Sequence, residues 1–353
     1  MDYKQYLEEL LLAVPQQGAS DLHLSPGHYP ALRVSGRLVM LGNKPILDQE
    51  TLNGMVLVLL GDKKDRFVAE KELDFSYSLN PEVRFRVNVY QTQGFYATTL
   101  RFIPQEIQTI EELGLPPVIK IFSKLSQGLV LIVGPNGHGK STTVAVLLNE
   151  INKERAEKII TVEDPIEYIL SPDKSIVNQR ELFRDTNSFE KAIWSSVRQN
   201  ANVIMVGELR DYPTMAAALS AAETGHLVFA SLNTGSAVQS IERIVYSFPA
   251  DQQNQARSQI ASTIAGVVSQ RLIPRIKGGL IPAAEVLIAT PAVRSLINDN
   301  RMQQLEMVMD TGYDIGMISL DRSLADLVRR KEITLEQAEF HSLKPMELRS
   351  MAR

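Results

Sequence analysis

The spacing of apolar positions changes near the middle of the first half of the chain. Early on, the apolar positions recur as in short strands and isolated helices. Later, apolar runs and helical stretches take turns. Tyr6, Leu7, Leu10, Leu11 and Val14 share one face of a helical wheel, so residues 3–14 are expected as a short helix. Residues 19–24 (ASDLHL) alternate like a strand, with Asp21 and His23 on one side and Leu22 and Leu24 on the other. Residues 32–41 suit a hairpin turning at Ser35-Gly36, and residues 47–60 a helix behind the cap Asp48. Strand-like runs follow at 73–79, 83–90 and 96–102, completing a small α+β module over residues 1–103. Residues 104–117, with a proline at each end and an acidic middle, are expected to link it to the next domain.

Beyond the linker the alternation of strands and helices implies a mostly parallel sheet over residues 118–289. Strands are expected at 129–133, 158–162, 203–206, 227–232 and 281–288. Helices are expected at 142–152, 188–199 and 212–223, with one long helix at 252–272. Residues 290–353 read as a helical tail, with helices at 292–300, 320–330 and 335–340.

Composition narrows the function. With 353 residues, 44% of them hydrophobic and 22% charged, the chain has enough apolar surface for more than one core. Its formal net charge of −4 and the lack of a long Lys/Arg run argue against a nucleic-acid partner. The absence of cysteine excludes disulfides and thiolate zinc sites. The acidic, amphipathic start does not resemble a secretory signal, and no apolar run approaches the roughly 20 residues of a membrane span, so a cytoplasmic protein is expected.

The chemistry centres on GPNGHGKS, Gly134 to Ser141. It has the P-loop spacing and lies between the apolar run Leu129–Val133 and a helical stretch. In such a loop, Gly134, Pro135, Asn136, Gly137, His138, Gly139, Lys140, Ser141 and Thr142 would wrap a phosphate chain, largely through backbone N–H groups and the helix N-terminus. Lys140 would meet the β- and γ-phosphates, and the Ser141 hydroxyl would serve Mg²⁺. The cofactors expected are therefore ATP and Mg²⁺. Two other apolar strands end in acids, at Glu163-Asp164 and at Glu208. Strand ends in an open α/β sheet face the ligand, so these carboxylates are candidates to activate water or to hold Mg²⁺, directly or through water. Glu208 is the first choice as base, Glu163 the second carboxylate, and Asp164 a loop-fixing residue.

These residues and their order resemble the PilT-type retraction ATPases of type IV pili, within the secretion ATPase superfamily. The likeness rests on ASDLHL, RFRVN (84–88), IEELGLP (110–116), IITVEDPIEY (159–168), VGELRD (206–211), AAETGHLVFA (221–230) and TPAVRSLI (290–297), and it runs through nearly the whole chain. The resemblance implies a PAS-like N-terminal domain, a RecA-like ATPase core and a homo-hexameric ring. It implies work at the inner face of the cytoplasmic membrane, on an inner-membrane platform protein of the pilus machine. It further implies that Arg86 and Arg101 are presented to the nucleotide, that His226 senses the γ-phosphate, and that Asn233, standing where a second histidine is usual, is a nucleotide-binding residue whose amide can donate to a phosphate oxygen.

Other departures are Asn136 and His138 in the P-loop, Trp194 in place of a common arginine, and Gln199–Asn202 in place of acidic residues. The absence of a cysteine zinc element and of a longer N-terminal region favours the retraction branch. Two alternatives stand beside the motor: a nucleotide-binding accessory subunit with little turnover, and a nucleic-acid translocase.

Overall fold

Alternation in the first hundred residues produces an antiparallel sheet under three helices. The computed structural model describes residues 2–34, 36–80, 82–104 and 106–352, in two compact units. The first unit comprises Met1–Glu106 and the inserted segment Asp164–Ile169. Its elements are α1 (Tyr3–Gln16), β1 (Ala19–Leu24), β2 (Ala31–Val34), β3 (Arg37–Met40), α2 (Gln49–Leu60), α3 (Lys64–Glu70), β4 (Glu72–Ser78), β5 (Arg84–Thr92) and β6 (Phe95–Ile103). The strand order is β3-β2-β1-β6-β5-β4, with every pair antiparallel. Ser35 of the expected hairpin turn lies outside the described residues. Asp2 and Asp48 cap α1 and α2 by accepting from backbone N–H groups of the first turn. In β5, Phe85, Val87 and Val89 point into the core while Arg84, Arg86 and Asn88 take the other face.

The second unit comprises Ile107–Glu163 and Leu170–Arg353. The stretch expected as a linker is therefore packed structure from Ile107 onward: Ile110 and Leu115 are buried in this unit's core. A 3-10 segment, Pro117–Lys124, leads into β7 (Gly128–Val133), α4 (Lys140–Glu154), β8 (Lys158–Glu163), β9 (Ile176–Glu181), α5 (Phe189–Arg198), β10 (Val203–Val206), α6 (Tyr212–Glu223) and β11 (Leu227–Leu232). Then come α7 (Ala237–Ser247), α8 (Gln253–Thr263), β12 (Ile264–Pro274) and β13 (Leu280–Ile288). The tail forms α9 (Pro291–Asn298), α10 (Leu305–Thr311), α11 (Leu320–Arg329), α12 (Leu335–His341) and α13 (Pro345–Met351).

The sheet runs β13-β12-β7-β11-β10-β8-β9. All neighbours are parallel except the edge pair β12–β13. Every residue of β7, β10 and β11 is buried, as expected of strands covered on both faces.

One expectation fails outright. The long helix over 252–272 is α8 followed directly by β12. The run Ile264-Ala265-Gly266-Val267-Val268 has the β-branched residues of a buried strand and a glycine that weakens a helix. Gly266 also lies where a Cβ would be 2.3 Å from the Phe122 ring, a second reason for glycine there. β9, a half-polar edge strand, and α7 are additional to the elements expected from the sequence.

Candidate active site

Four parallel strands end side by side: Val133 of β7 pairs with Leu232 of β11, Ala230 of β11 with Val206 of β10, and Val206 with Val162 of β8. The residues that follow them, the 134–139 loop, Asn233, Glu208 and Glu163, are thereby set along one rim of the sheet. This is the rim at which open α/β sheets bind ligands.

The loop takes its shape from glycine. Gly134 has φ 150° and would drive a Cβ to 2.3 Å from the Gln270 carbonyl oxygen; Gly137 (φ 78°) and Gly139 (φ 80°) are left-handed. The unexpected strand β12 braces the loop. Gln270 accepts from Thr143 Oγ1 (2.7 Å) and donates to the His138 carbonyl (2.6 Å), and the Leu272 N–H donates to His138 Nδ1 (2.9 Å). Burial and the nearby cations and His341 hold the His138 imidazole below its ordinary pKa, in keeping with an acceptor nitrogen. The His138 side chain is thus spent on bracing, and only its backbone is available to a phosphate.

Lys140, 9% exposed, donates from Nζ to the carbonyls of Gly134 and Pro135 (2.9 Å each) and to Asn233 Oδ1 (2.7 Å). The other end of the same amide, Nδ2, donates to Glu208 Oε1. Glu208 Oε2 accepts from Arg210 Nε at 2.6 Å. Asn233 therefore bridges the P-loop lysine and the strand-end glutamate. Its own loop is tied down: Arg243 holds its carbonyl, and the Ala237 N–H donates to buried Glu285. Glu163, 8% exposed, accepts from Thr161 Oγ1 (2.6 Å) and Gln179 Nε2 (3.1 Å). The amide bridge, Gln179 and Gln270 carry no signal in the sequence, because each meets its partner across strands distant in the chain.

The oxygen donors here, Ser141 with the Glu163 and Glu208 carboxylates, are of the hard kind that suits Mg²⁺. Among the described residues no group of three or more His, Cys, Asp or Glu is gathered to hold a metal. That fits an ion held chiefly by phosphate and water rather than by a protein cage.

His226 does not join this site within its own chain. It precedes β11, beside Gly128 at the opposite end of β7 from the loop, six residues or about 20 Å along the strand at ~3.3 Å per residue. Its Nδ1 donates to the Ala221 carbonyl (2.9 Å) at the end of α6, which makes it a helix-end fastening. Gln199–Asn202 lie at the same remote end: Asn200 takes the left-handed conformation (φ 56°) and Asn202 Oδ1 accepts from the Lys158 N–H (2.8 Å). Their departure from the family pattern is thus a matter of a turn, distant from the loop.

Arg86 and Arg101 belong to the first unit. They are directly paired on β5 and β6, in a cross-strand row that runs Arg33, Asp21, Arg101, Arg86, Ser76. Like charges placed opposite one another repel. Here Asp21 pairs with Arg101 (3.0 Å), and Glu167, from the inserted segment, with Arg86 (3.1 Å).

The glycine-shaped loop, its lysine and the strand-end carboxylates on a mostly parallel sheet define a P-loop nucleotide hydrolase. Comparison with known proteins makes this specific. Residues 4–279 match the family described as Type II/IV secretion system protein. The chain is 41% identical to the type IV pilus retraction ATPase PilT of Pseudomonas aeruginosa over 94% of this chain and 96% of that one. It is 36% identical to the type IV pilus ATPase PilU of the same organism, over 98% and 91%. A crystal structure of the pilus retraction motor PilT with bound ADP superposes with a TM-score of 0.88 at 40% identity, covering 97% of this chain and 98% of that one. The chain belongs to the type II/IV secretion system protein family and, within it, to the PilT-type retraction ATPases; it is an ATPase.

Proposed function

We propose that this chain works as a ring of six copies that hydrolyses ATP to withdraw type IV pili, acting on an inner-membrane platform protein from the cytoplasmic side and so driving twitching motility. The observation that carries the catalytic part is the Lys140–Asn233–Glu208 bridge, which joins a P-loop lysine to a base across adjacent strand ends. The retraction part rests on the likeness to PilT along nearly the whole chain.

In this reading the backbone N–H groups of residues 134–142 and the start of α4 hold the phosphates. Lys140 leaves its carbonyl and amide acceptors for the β- and γ-phosphate oxygens, which offer full negative charge in their place. Glu208 takes a proton from the attacking water, and Asn233 Nδ2 keeps the carboxylate aimed. Glu163, fixed by Thr161 and Gln179, is the second carboxylate. Ser141, Glu208 and Glu163 would hold Mg²⁺, directly or through water, and the ion would supply charge neutralisation on the phosphates. Arg86 and Arg101 act as arginine contacts to the triphosphate, a role taken from the family resemblance.

The test is a strain deleted for this chain and complemented with Glu208→Gln. Pili should be assembled but not retracted, and the purified variant should bind ATP while releasing little phosphate. Normal retraction by this variant would overturn the reading.

A further inference from the structure

A second cavity lies in the same unit, on α5 and the turn that precedes it. It measures about 460 Å³ and is lined by Arg180, Asp185, Lys191, Trp194, Ser195 and Arg198 among others. That is the size of a small-ligand pocket. Lys191, Trp194, Ser195 and Arg198 recur at the three- and four-residue spacing that puts side chains on one helix face. We infer that this cavity binds a nucleoside phosphate, with the base on Trp194 and the phosphates among Arg180, Lys191 and Arg198.

Four observations carry this. Three cations line one cavity, and among the described residues none of them has a carboxylate partner. Arg180 donates from Nη2 to the Asp185 carbonyl (3.0 Å), while its Nη1 is buried and has no acceptor. A buried N–H without an acceptor is costly, and a phosphate oxygen is the charged acceptor that a guanidinium pairs with best. Trp194 keeps 39% of its surface exposed and lines the cavity, so part of an aromatic side chain is available there to a ligand.

A merely solvated helix face would explain Lys191 and Arg198. It would leave unexplained a buried Arg180 nitrogen and a partly exposed indole in the same cavity. An inorganic anion would use the cations and ignore the indole, whereas a nucleoside phosphate uses both.

Trp194 is the chain's single tryptophan, so its fluorescence reports on this cavity alone. The experiment uses the full chain carrying Lys140→Ala, which disables the P-loop, and titrates it with ADP, pyrophosphate and adenosine. Saturable quenching by ADP is expected, with pyrophosphate binding more weakly and adenosine most weakly. Arg198→Ala should lower the ADP affinity at least fivefold, with Arg198→Lys restoring part of it. Trp194→Phe, read with a fluorescent ADP, should retain binding, whereas Trp194→Ala should bring ADP down toward pyrophosphate by about fivefold or more. No response to any of the three compounds at millimolar concentration would overturn the inference. So would a response that vanishes with Lys140→Ala, or one that tracks protein concentration instead of nucleotide, which would mark a second copy as the occupant.

Discussion

Lys140 and Arg101 are restrained by opposite means. Lys140 is almost fully buried and is held by two backbone carbonyls and one side-chain amide. Arg101, with 62% of its side chain exposed, is held by the carboxylate of Asp21. Burying an ammonium is costly, and hydrogen-bond acceptors around it offset that cost. An arriving phosphate offers Lys140 charged acceptors in place of neutral ones. The row on the N-terminal sheet is already neutralised, and a phosphate there must compete with Asp21 and Glu167. Lys140 can exchange carbonyl and amide acceptors for phosphate, whereas Arg101 has first to leave a carboxylate.

Lys140→Ala should produce the largest effect, a loss of turnover of roughly 10²-fold or more, since among the described residues no other lysine or arginine is seen to donate to the Gly134 and Pro135 carbonyls. Phosphate release and nucleotide titration measure it, and parental values for both would remove the loop from the mechanism. Glu208→Gln should come next, with ATP affinity retained and turnover lower by about 10²-fold. If turnover stays near normal, the role of base passes to Glu163.

Asn233→Ala sharpens the contrast. It removes one acceptor from Lys140 and one donor from Glu208. The two partners should respond differently: ADP affinity unchanged or higher, because Lys140 is released, and turnover down about tenfold, because Glu208 loses a charge-assisted hydrogen bond. Weaker binding of both ADP and ATP would instead make Asn233 a phosphate ligand. Asn233→His tests the family residue: a rate at or below the parent would show that the amide is suited to its place.

The site was half legible in the sequence, and the division is physical. Residues 134–141, Glu163 and Glu208 could be read because each adjoins an apolar strand in the chain, and strand order does not alter that. What the sequence did not reveal depends on strand order. Asn233 meets Lys140 only because β11 lies beside β7, and Gln270 meets the loop only because 264–274 is a strand on its other side. His226 shares a string with the strand it precedes, but a strand separates its two ends by its own length, so within the chain it lies away from the loop. On the N-terminal sheet, period-two alternation put Arg86 and Arg101 on strands, and only the register made them neighbours.

Arg101 is exposed, and its buried partner Asp21 keeps Arg33 and the Ser20 hydroxyl when Arg101 is removed, so Arg101→Ala is expected to lower the melting temperature only modestly. A large fall in turnover beside so modest a fall in melting temperature would mark a role toward nucleotide. Mixing Arg101→Ala with Lys140→Ala subunits locates that role. Recovery above the sum of the two parents means that one copy's arginine serves another copy's loop. No recovery in rings shown to be mixed confines it to its own chain or excludes it.

The smallest effect expected concerns another buried ionisable group of the second unit, Glu285. Glu285 on β13 is buried and accepts the Ala237 N–H at the start of α7 (2.7 Å). Burial pushes its pKa up from 4.5 to about 7; that hydrogen bond and Arg271 oppose the shift, and Glu306 and Asp321 reinforce it. The folded chain therefore keeps this proton over a range in which the unfolded chain has lost it. Stability from this group is fully present below about pH 4.5, declines as pH rises toward 7, and is level above that. Glu285→Gln retains an acceptor for Ala237 and never ionises. The variant should melt a few degrees above the parent at pH 8 and together with it at pH 4.5. An equal offset at both pH values would mean that packing, and not the buried charge, separates the two proteins.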